Sequence, residues 1–390
     1  MAEEPEFVVT PYEVRGKIDY VRLRELFGTQ EITPELLDRI RAKAGGKLHP
    51  LLDRGIYYSH RDLGWVLDEY ERGRPFVLYS GRGPSGPLHT SHLVPFDLCQ
   101  WLQKTFRVPI YIQLTDDEKF WLRPKLTRAE TASWARENLL DLLAVGFDPA
   151  LTHVFVDSRS IAALYPLASE AAKKIPYSTA KAVFGFPPST NIGLVFYTAL
   201  QTAPSFYASW IEGRPVPCLI PCGIDQDPHF RITRDIAEGL GYPKPALLHS
   251  QMLPGLLGPD RVMSTTGDVP DNAVFLNDGP KVVARKIRKA FTGGRASVEE
   301  QRRLGATPEI CSVWAAWRSK FAPDDGEFQR LTADCRSGAL LCGECKERLI
   351  GKVQSFLETH AERRAEAASW ADSVIIERPP PGAGAPPAKG

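Results

Sequence analysis

The sequence predicts an α/β protein in which a doubly wound parallel sheet follows an N-terminal extension and precedes a helical domain. Three observations predict it. Short apolar runs, at 76–79, 108–114, 152–156 and 218–220, alternate with helical patterns between Phe76 and about Asp260. The first run leads through a Gly/Pro-rich turn, Ser80-Gly-Arg-Gly-Pro-Ser-Gly-Pro87, into a helix. From Lys281 to about Arg364 the pattern turns helical, ending in a long amphipathic segment from Gly343 to Arg364.

Residues 1–75 read as an extension packed on the sheet domain. They hold a strand near Phe7-Val8-Val9, then helical patterns at 20–26 and 33–44, where Thr33 caps and Pro34 takes the first helical position. Residues 76–280 hold the sheet, and 281–365 the helical domain. Residues 366–390 form a tail, expected to be disordered from about 378, because a Pro/Gly/Ala run buries no core.

The 48 basic and 47 acidic residues give a formal net charge of +1, so the overall field attracts no nucleic acid and any contact needs a local patch. No uninterrupted apolar stretch reaches the roughly 18 residues that span a bilayer, so no membrane partner is expected. The acidic start, Met1-Ala-Glu-Glu-Pro-Glu6, lacks a targeting pattern, and the reading is cytoplasmic. Seven cysteines form no even disulfide framework and suit a reducing compartment. Cys342-Gly-Glu-Cys345, with Cys335 upstream, reads as half a metal site, a redox pair or helical core. With no second Cys/His pair flanking it, the core reading is preferred, and no metal ligand is expected from protein side chains.

The chemistry concentrates in the turn after the first run. A helix start carries unpaired N–H groups and the positive end of the dipole, and glycines let a ligand approach the backbone, so phosphate fits there. His89 and His92, at i and i+3, fall on one helix face and can donate to the same oxygens. Taken alone, such a pair is weak evidence and reads more readily as surface or core histidines. Asp116, Asp117 and Glu118 repel one another and need a cation or donors to stay ionised. Lys119 can serve without any substrate.

At these residues the chain resembles the tryptophanyl-tRNA synthetases of the eukaryotic and archaeal type, members of the class I aminoacyl-tRNA synthetases. The resemblance runs from about Glu6 to about Arg364. It rests on Tyr58-Ser-His-Arg-Asp62, Tyr79-Ser-Gly-Arg-Gly-Pro84, Gln113-Leu-Thr-Asp-Asp-Glu-Lys119, Gln201-Thr-Ala-Pro-Ser-Phe206, Cys218-Leu-Ile-Pro-Cys-Gly-Ile-Asp-Gln-Asp-Pro228 and Gly241-Tyr-Pro-Lys-Pro-Ala246, in that order. It implies a Rossmann catalytic domain, an inserted segment at about 122–198 whose outer face builds a homodimer interface, and a C-terminal anticodon-binding domain. The implied reaction joins L-tryptophan to ATP, with Mg²⁺, and passes the tryptophanyl group to tRNA.

The resemblance also implies residue roles. Tyr79 and Gln113 match the pair that hydrogen-bonds the indole N–H; Glu118, Gln201 and Gln226 match residues around the α-ammonium; Lys119 matches a carboxylate contact. Gly81, Arg82, Gly83, His89, His92 and Asp225 are expected on the ATP side, and His89, Ser91, His92, Arg261, Met263 and Ser264 in catalysis. The basic stretch Arg285, Lys286, Arg288, Lys289 and Arg295 is expected to bind tRNA; without the resemblance, it reads first as a solvated face.

Four departures accompany the match. The family's His-x-Gly-His is here His89-Thr-Ser-His92, so the Ser91 side chain is expected to push into the adenine space. Its Lys-Met-Ser-x-Ser is here Val262-Met-Ser-Thr-Thr266, without the lysine that neutralises the departing pyrophosphate, and Arg261 stands one place early. A Val-Asp-Pro-Trp-like segment is replaced by Val8-Val-Thr-Pro-Tyr-Glu-Val14, without the acid. Ala296 follows Gly-Gly-Arg where an acid is usual. Two rivals therefore stand beside the ligase: a paralogue that passes activated tryptophan to a non-tRNA amine in secondary metabolism, and a non-catalytic regulator that binds tryptophan or tRNA.

Overall fold

The computed structural model describes residues 7–9, 14–16, 18–263 and 270–383, with backbone alone for 7–9, 14–16, 260 and 261. Ser264, the Arg261 side chain, most of the segment from Val8 to Val14 and residues 384–390 of the tail therefore lie outside the described residues.

Seven strands form the main sheet: β1 (Gln30–Glu31), β2 (Tyr57–Arg61), β3 (Val77–Arg82), β4 (Ile110–Leu114), β5 (Thr152–Val156), β6 (Cys218–Gly223) and β7 (Ala246–Ser250). Their order is β1-β2-β7-β6-β3-β4-β5. The pairs from β7 to β5 are parallel, and β1 and β2 join antiparallel. From β3 the chain winds one way through β4 to β5, then returns to β6 and β7 on the other side. The strand order therefore reverses between β3 and β6, where open α/β sheets bind their ligands.

Alternation along each strand supplies two buried layers. Leu78, Ile110, Ile112, Leu114 and Val154 face one core, and Val77, Tyr79, Tyr111, Phe155 and Ile220 the other. The four expected runs are all strands. β2 was not expected, because Tyr-Tyr-Ser-His-Arg carries polar groups. Tertiary partners satisfy them: Ser59 Oγ lies 3.1 Å from His249 Nδ1, and Arg61 Nε donates to Asp227 Oδ1 at 2.8 Å.

Three other expectations need correction. His89 and His92 do not open an α-helix. His89 caps a 3₁₀ turn, Thr90–Leu93, that contains His92, and the α-helix follows at Val94–Phe106, where Pro95 occupies its first turn. The segment 122–198 is not wholly an insertion, since it contains β5. The start of the tail docks: Ile376 N–H donates to the Val154 carbonyl at 2.8 Å, Arg159 pairs with Glu377 at 2.7 Å, and Ala383 packs on the core.

After the sheet come helices Pro280–Lys289, Asp325–Ser337 and Cys342–Ala367, packed around a third core that contains the fully buried Trp317, and the short helix Val298–Leu304, which stands outside that core. Arg54 binds Asp325 at 2.6 Å, and Arg364 binds Asp141 on helix Arg128–Leu143 at 2.6 Å, which joins this helical region to both the extension and the sheet. No described helix is long and apolar enough to cross a membrane.

Candidate active site at the sheet switch point

A cavity of about 370 Å³ opens at the carboxyl ends of β3 and β6. Its lining includes Tyr79, Gly81, Arg82, Gly83, His89, Ser91, His92, Gln113, Glu118, Lys119, Gln201, Asp225, Gln226, Val262 and Met263. These residues span almost 200 positions of sequence. The volume suits a small ligand rather than a polymer.

One end of the cavity presents oriented acceptors. Gln113 is 1% exposed, and its Nε2 donates to both carboxylate oxygens of Asp157, at 2.9 and 3.0 Å. That contact fixes the amide so that Oε1 accepts the Tyr79 hydroxyl at 2.6 Å. The remaining lone pairs of Tyr79 Oη and Gln113 Oε1 form a small acceptor patch. Asp157 was not among the expected residues. Its position at the carboxyl end of β5 was the available signal.

Burial raises the Asp157 carboxyl well above the carboxylate range, with Asp117 adding repulsion. Burial likewise raises Asp117 to about 7, with Asp116 contributing. Two buried carboxyls beside each other hold protons that isolated ones would lose. Glu118, also buried, accepts from Thr115 Oγ1 at 3.2 Å and from Lys119 Nζ at 2.9 Å. Lys119 crosses directly over Gly83, where a Cβ would lie 2.0 Å from Lys119 Cε, so any larger residue at 83 displaces the lysine. Gln226 Nε2 donates to Asp225 Oδ2 at 2.7 Å, and the Gln201 carbonyl lies 3.4 Å from Tyr79 Oη.

The other end presents donors. Arg82 lines the cavity with Nε and Nη2 buried and without an acceptor among the described residues. Burial lowers its pKa to about 10, against the pull of Glu118, so it remains a cation at neutral pH. The His89 and His92 rings stack at 3.4 Å. Burial, then repulsion from Arg82, lowers His89 to about 3 and His92 well below the usual histidine range, so both are neutral. His92 Nδ1 accepts the His89 backbone N–H at 3.1 Å, which places its own proton on Nε2. His89 Nε2 is buried and has no partner among the described residues. These are neutral donors, not the cations that would replace a lysine. Ser91 Oγ lies 2.9 Å from His89 Nδ1, so the hydroxyl is engaged with the imidazole even though the side chain reaches the cavity wall. Val262 brings an apolar side chain to this wall, and its carbonyl accepts from Asn272 Nδ2 at 3.1 Å.

The basic stretch divides. Lys286 is 3% exposed, and its ammonium donates to Asp278 Oδ2 at 2.7 Å and to the Ala273 carbonyl at 2.9 Å. It is thus a buried structural cation and leaves the group expected to face RNA. Arg285 and Lys289 are exposed and meet Asp271 at 2.7 and 3.1 Å; Arg288 meets Glu347 at 2.7 Å. Arg295 Nε donates to the Gly305 carbonyl at 3.0 Å.

Comparison with known proteins agrees with this geometry. Residues 71–358 match the family described as tRNA synthetases class I (W and Y). The chain is 47% identical over 373 residues to the tryptophan–tRNA ligase of Pyrobaculum calidifontis, covering 96% of this chain and 98% of that one. Among solved structures it superposes on a tryptophanyl-tRNA synthetase from Giardia lamblia with a TM-score of 0.85 at 37% identity, covering 92% of this chain and 96% of that one. It also superposes on a product-bound parasite tRNA synthetase with a TM-score of 0.88 at 35% identity, covering 93% and 98%.

Proposed function

We propose that this chain, which belongs to the class I tRNA synthetase family of tryptophan and tyrosine enzymes, activates L-tryptophan with ATP and transfers it to tRNA. The observation that carries the reading is one cavity with an oriented acceptor pair at one end and an unpaired guanidinium at the other.

An indole offers one N–H donor on a large apolar body, and Tyr79 with Gln113 supplies the matching acceptors. Phenylalanine at the same place leaves a buried acceptor unpaired, at about 1–3 kcal/mol, which is the source of selectivity. Glu118, Gln201 and Gln226 take the α-ammonium, and Lys119 the carboxylate. A carboxylate oxygen attacks the α-phosphorus of ATP, the bond to the pyrophosphate oxygen breaks, and tryptophanyl-adenylate forms. A ribose hydroxyl of tRNA then attacks the carbonyl carbon and AMP leaves.

Such chemistry depends on positioning and on neutralising charge. Arg82, His89 Nε2 and His92 Nε2 are the donors suited to the phosphates. Mg²⁺ bound to the ATP phosphates would add charge neutralisation. With Val262 in the lysine position, Arg82 carries a larger share of that role.

Arg285, Arg288, Lys289 and Arg295 form the tRNA-facing surface in this reading. A homodimer through Ile161, Tyr165 and Ile192, which are 41%, 57% and 85% exposed, belongs to the same proposal, as does a cytoplasmic location. Tryptophan-dependent ATP–pyrophosphate exchange, followed by aminoacylation of tryptophan tRNA, tests it. Tryptophan binding without exchange would replace the ligase by a sensor. Exchange without tRNA charging would replace the acceptor.

A further inference from the structure

Resting on the tryptophan reading of this cavity, we propose that Asp157 and Asp117, the first a carboxylic acid and the second a carboxylate, are positioning residues that fix the polarity of the indole site. The cavity then accepts only a ring that donates a hydrogen bond.

A side-chain amide is nearly symmetric in shape, so its neighbours alone decide which end faces a ligand. Gln113 can present its carbonyl, which accepts, or its NH₂, which donates. Its Nε2 lies 2.9 and 3.0 Å from the two oxygens of Asp157, and its Oε1 accepts the Tyr79 hydroxyl at 2.6 Å. All three side chains are buried, so a turned amide finds no solvent to replace a lost partner.

A protonated Asp157 by itself leaves the choice open, because its O–H can donate to the carbonyl of a turned amide as readily as its other oxygen accepts from Nε2. Asp117 closes it. Strands β4 and β5 run side by side with Gln113 opposite Phe155, and Asp157 follows β5 at the first position of helix Asp157–Lys174. The turn after β4 is tied to that helix where Ser158 N–H donates to Asp116 Oδ1 at 3.0 Å. This brings Asp117 against Asp157, and two carboxyls hydrogen-bond only by sharing a proton. Burial is the main reason both hold on to protons. Their mutual hydrogen bond then acts in opposite directions, raising Asp157 and lowering Asp117, so the shared proton sits on Asp157 and points at Asp117.

Among the described residues no cation takes the place of that proton. Lys119 pairs with Glu118 at 2.8 Å, and no group of three or more His, Cys, Asp or Glu is arranged to hold a metal ion. The lone pairs left on Asp157 face Gln113, and only its NH₂ end can meet them. Its carbonyl is thereby turned toward Tyr79 and the cavity. A ring with oxygen where indole carries N–H has almost the same shape, yet its lone pairs would meet those of Gln113 Oε1 and Tyr79 Oη.

Calorimetry on the full-length protein, with L-tryptophan and with its benzofuran analogue, in which oxygen replaces the ring N–H, tests this. The wild type should prefer tryptophan about ten- to a hundred-fold. Asp157→Leu, which frees the amide to turn, should bring the two ligands to within about threefold of each other. Asp157→Asn should keep the wild-type preference, because its NH₂ donates to Asp117 and its carbonyl accepts from Gln113, as the protonated acid does. A merely structural role would weaken both ligands alike and leave their ratio unchanged. If Asp157→Leu fails to fold, infrared spectroscopy decides: the wild type at neutral pH should show a protonated-carboxyl band that Asp157→Asn lacks. The wild-type ratio retained by Asp157→Leu, the ratio lost in Asp157→Asn, or the absence of that band would each overturn the proposal and leave the tryptophan reading standing. A wild type that binds no tryptophan would overturn both.

Discussion

Replacing Arg82 by glutamine should make the protein more stable and less active at once. Burial lowers the guanidinium from 12.5 to about 10. The charged form is therefore penalised in the folded state by roughly 3 kcal/mol, at 1.36 kcal/mol per unit. A basic group whose folded pKa is depressed destabilises the fold wherever it is charged. The cost is thus present at all pH values below about 10 and fades as pH rises above it. Two of its buried N–H-bearing nitrogens have no acceptor among the described residues to offset that cost. Glutamine removes the charge but leaves a partly buried amide, so about 1–2 kcal/mol should return as stability, enough to raise the melting temperature by about 2 °C or more. The opposite holds for the reaction. Loss of one preorganised charge at a developing anion costs about 3–4 kcal/mol, a hundred- to a thousand-fold in tryptophan-dependent pyrophosphate exchange. Thermal melts and exchange assays on one preparation decide it. Wild-type exchange, or a lower melting temperature, would refute the reasoning, because either result means that Arg82 already has its partner inside the protein.

The remaining predictions concern the rest of the cavity and the basic stretch. Val262→Lys should raise exchange about a hundred-fold by restoring a cation at the cavity wall, while Ser91→Gly alone gains little, because its hydroxyl supports His89; an unchanged rate in Val262→Lys would show that the charge is supplied elsewhere. Gln113→Ala should weaken tryptophan binding by about 1–3 kcal/mol in calorimetry, and unaltered affinity would remove it from the indole site. Lys286→Met leaves Asp278 buried without its cation and should destabilise the fold by about 3–5 kcal/mol, whereas neutralising Arg285, Arg288, Lys289 and Arg295 together should leave the melt nearly unchanged and flatten the salt dependence of tRNA binding. Asp117 has a folded pKa raised to about 7, so the folded state binds the extra proton, and stability should fall as pH rises from about 4 to 7. Urea melts of Asp117→Asn should show a smaller decline, the remainder coming from Asp157, whose carboxyl burial also raises.

The local sequence determined a good deal. Alternating apolar residues mark β3 to β6 as strands because the pleat sends every second side chain to the same layer, and both layers here are buried. The residues of the candidate site, Tyr79, Gln113, Glu118 and Gln226 among them, could be named because the short motifs that carry them resemble those of tryptophanyl-tRNA synthetases, and the cavity at the strand ends gathers them. What those residues do electrostatically was decided only by the tertiary structure. Whether a lysine is a solvated charge or a buried one depends on what packs over it, and a charge run read along the chain cannot separate Lys286 from Lys289. The histidine pair reads as two donors in sequence, but burial beside Arg82 makes both rings neutral and one hydrogen bond fixes the His92 proton. Asp157, which aims Gln113, lies 44 positions from the amide it serves, and its role comes from a chain crossing that no local pattern encodes.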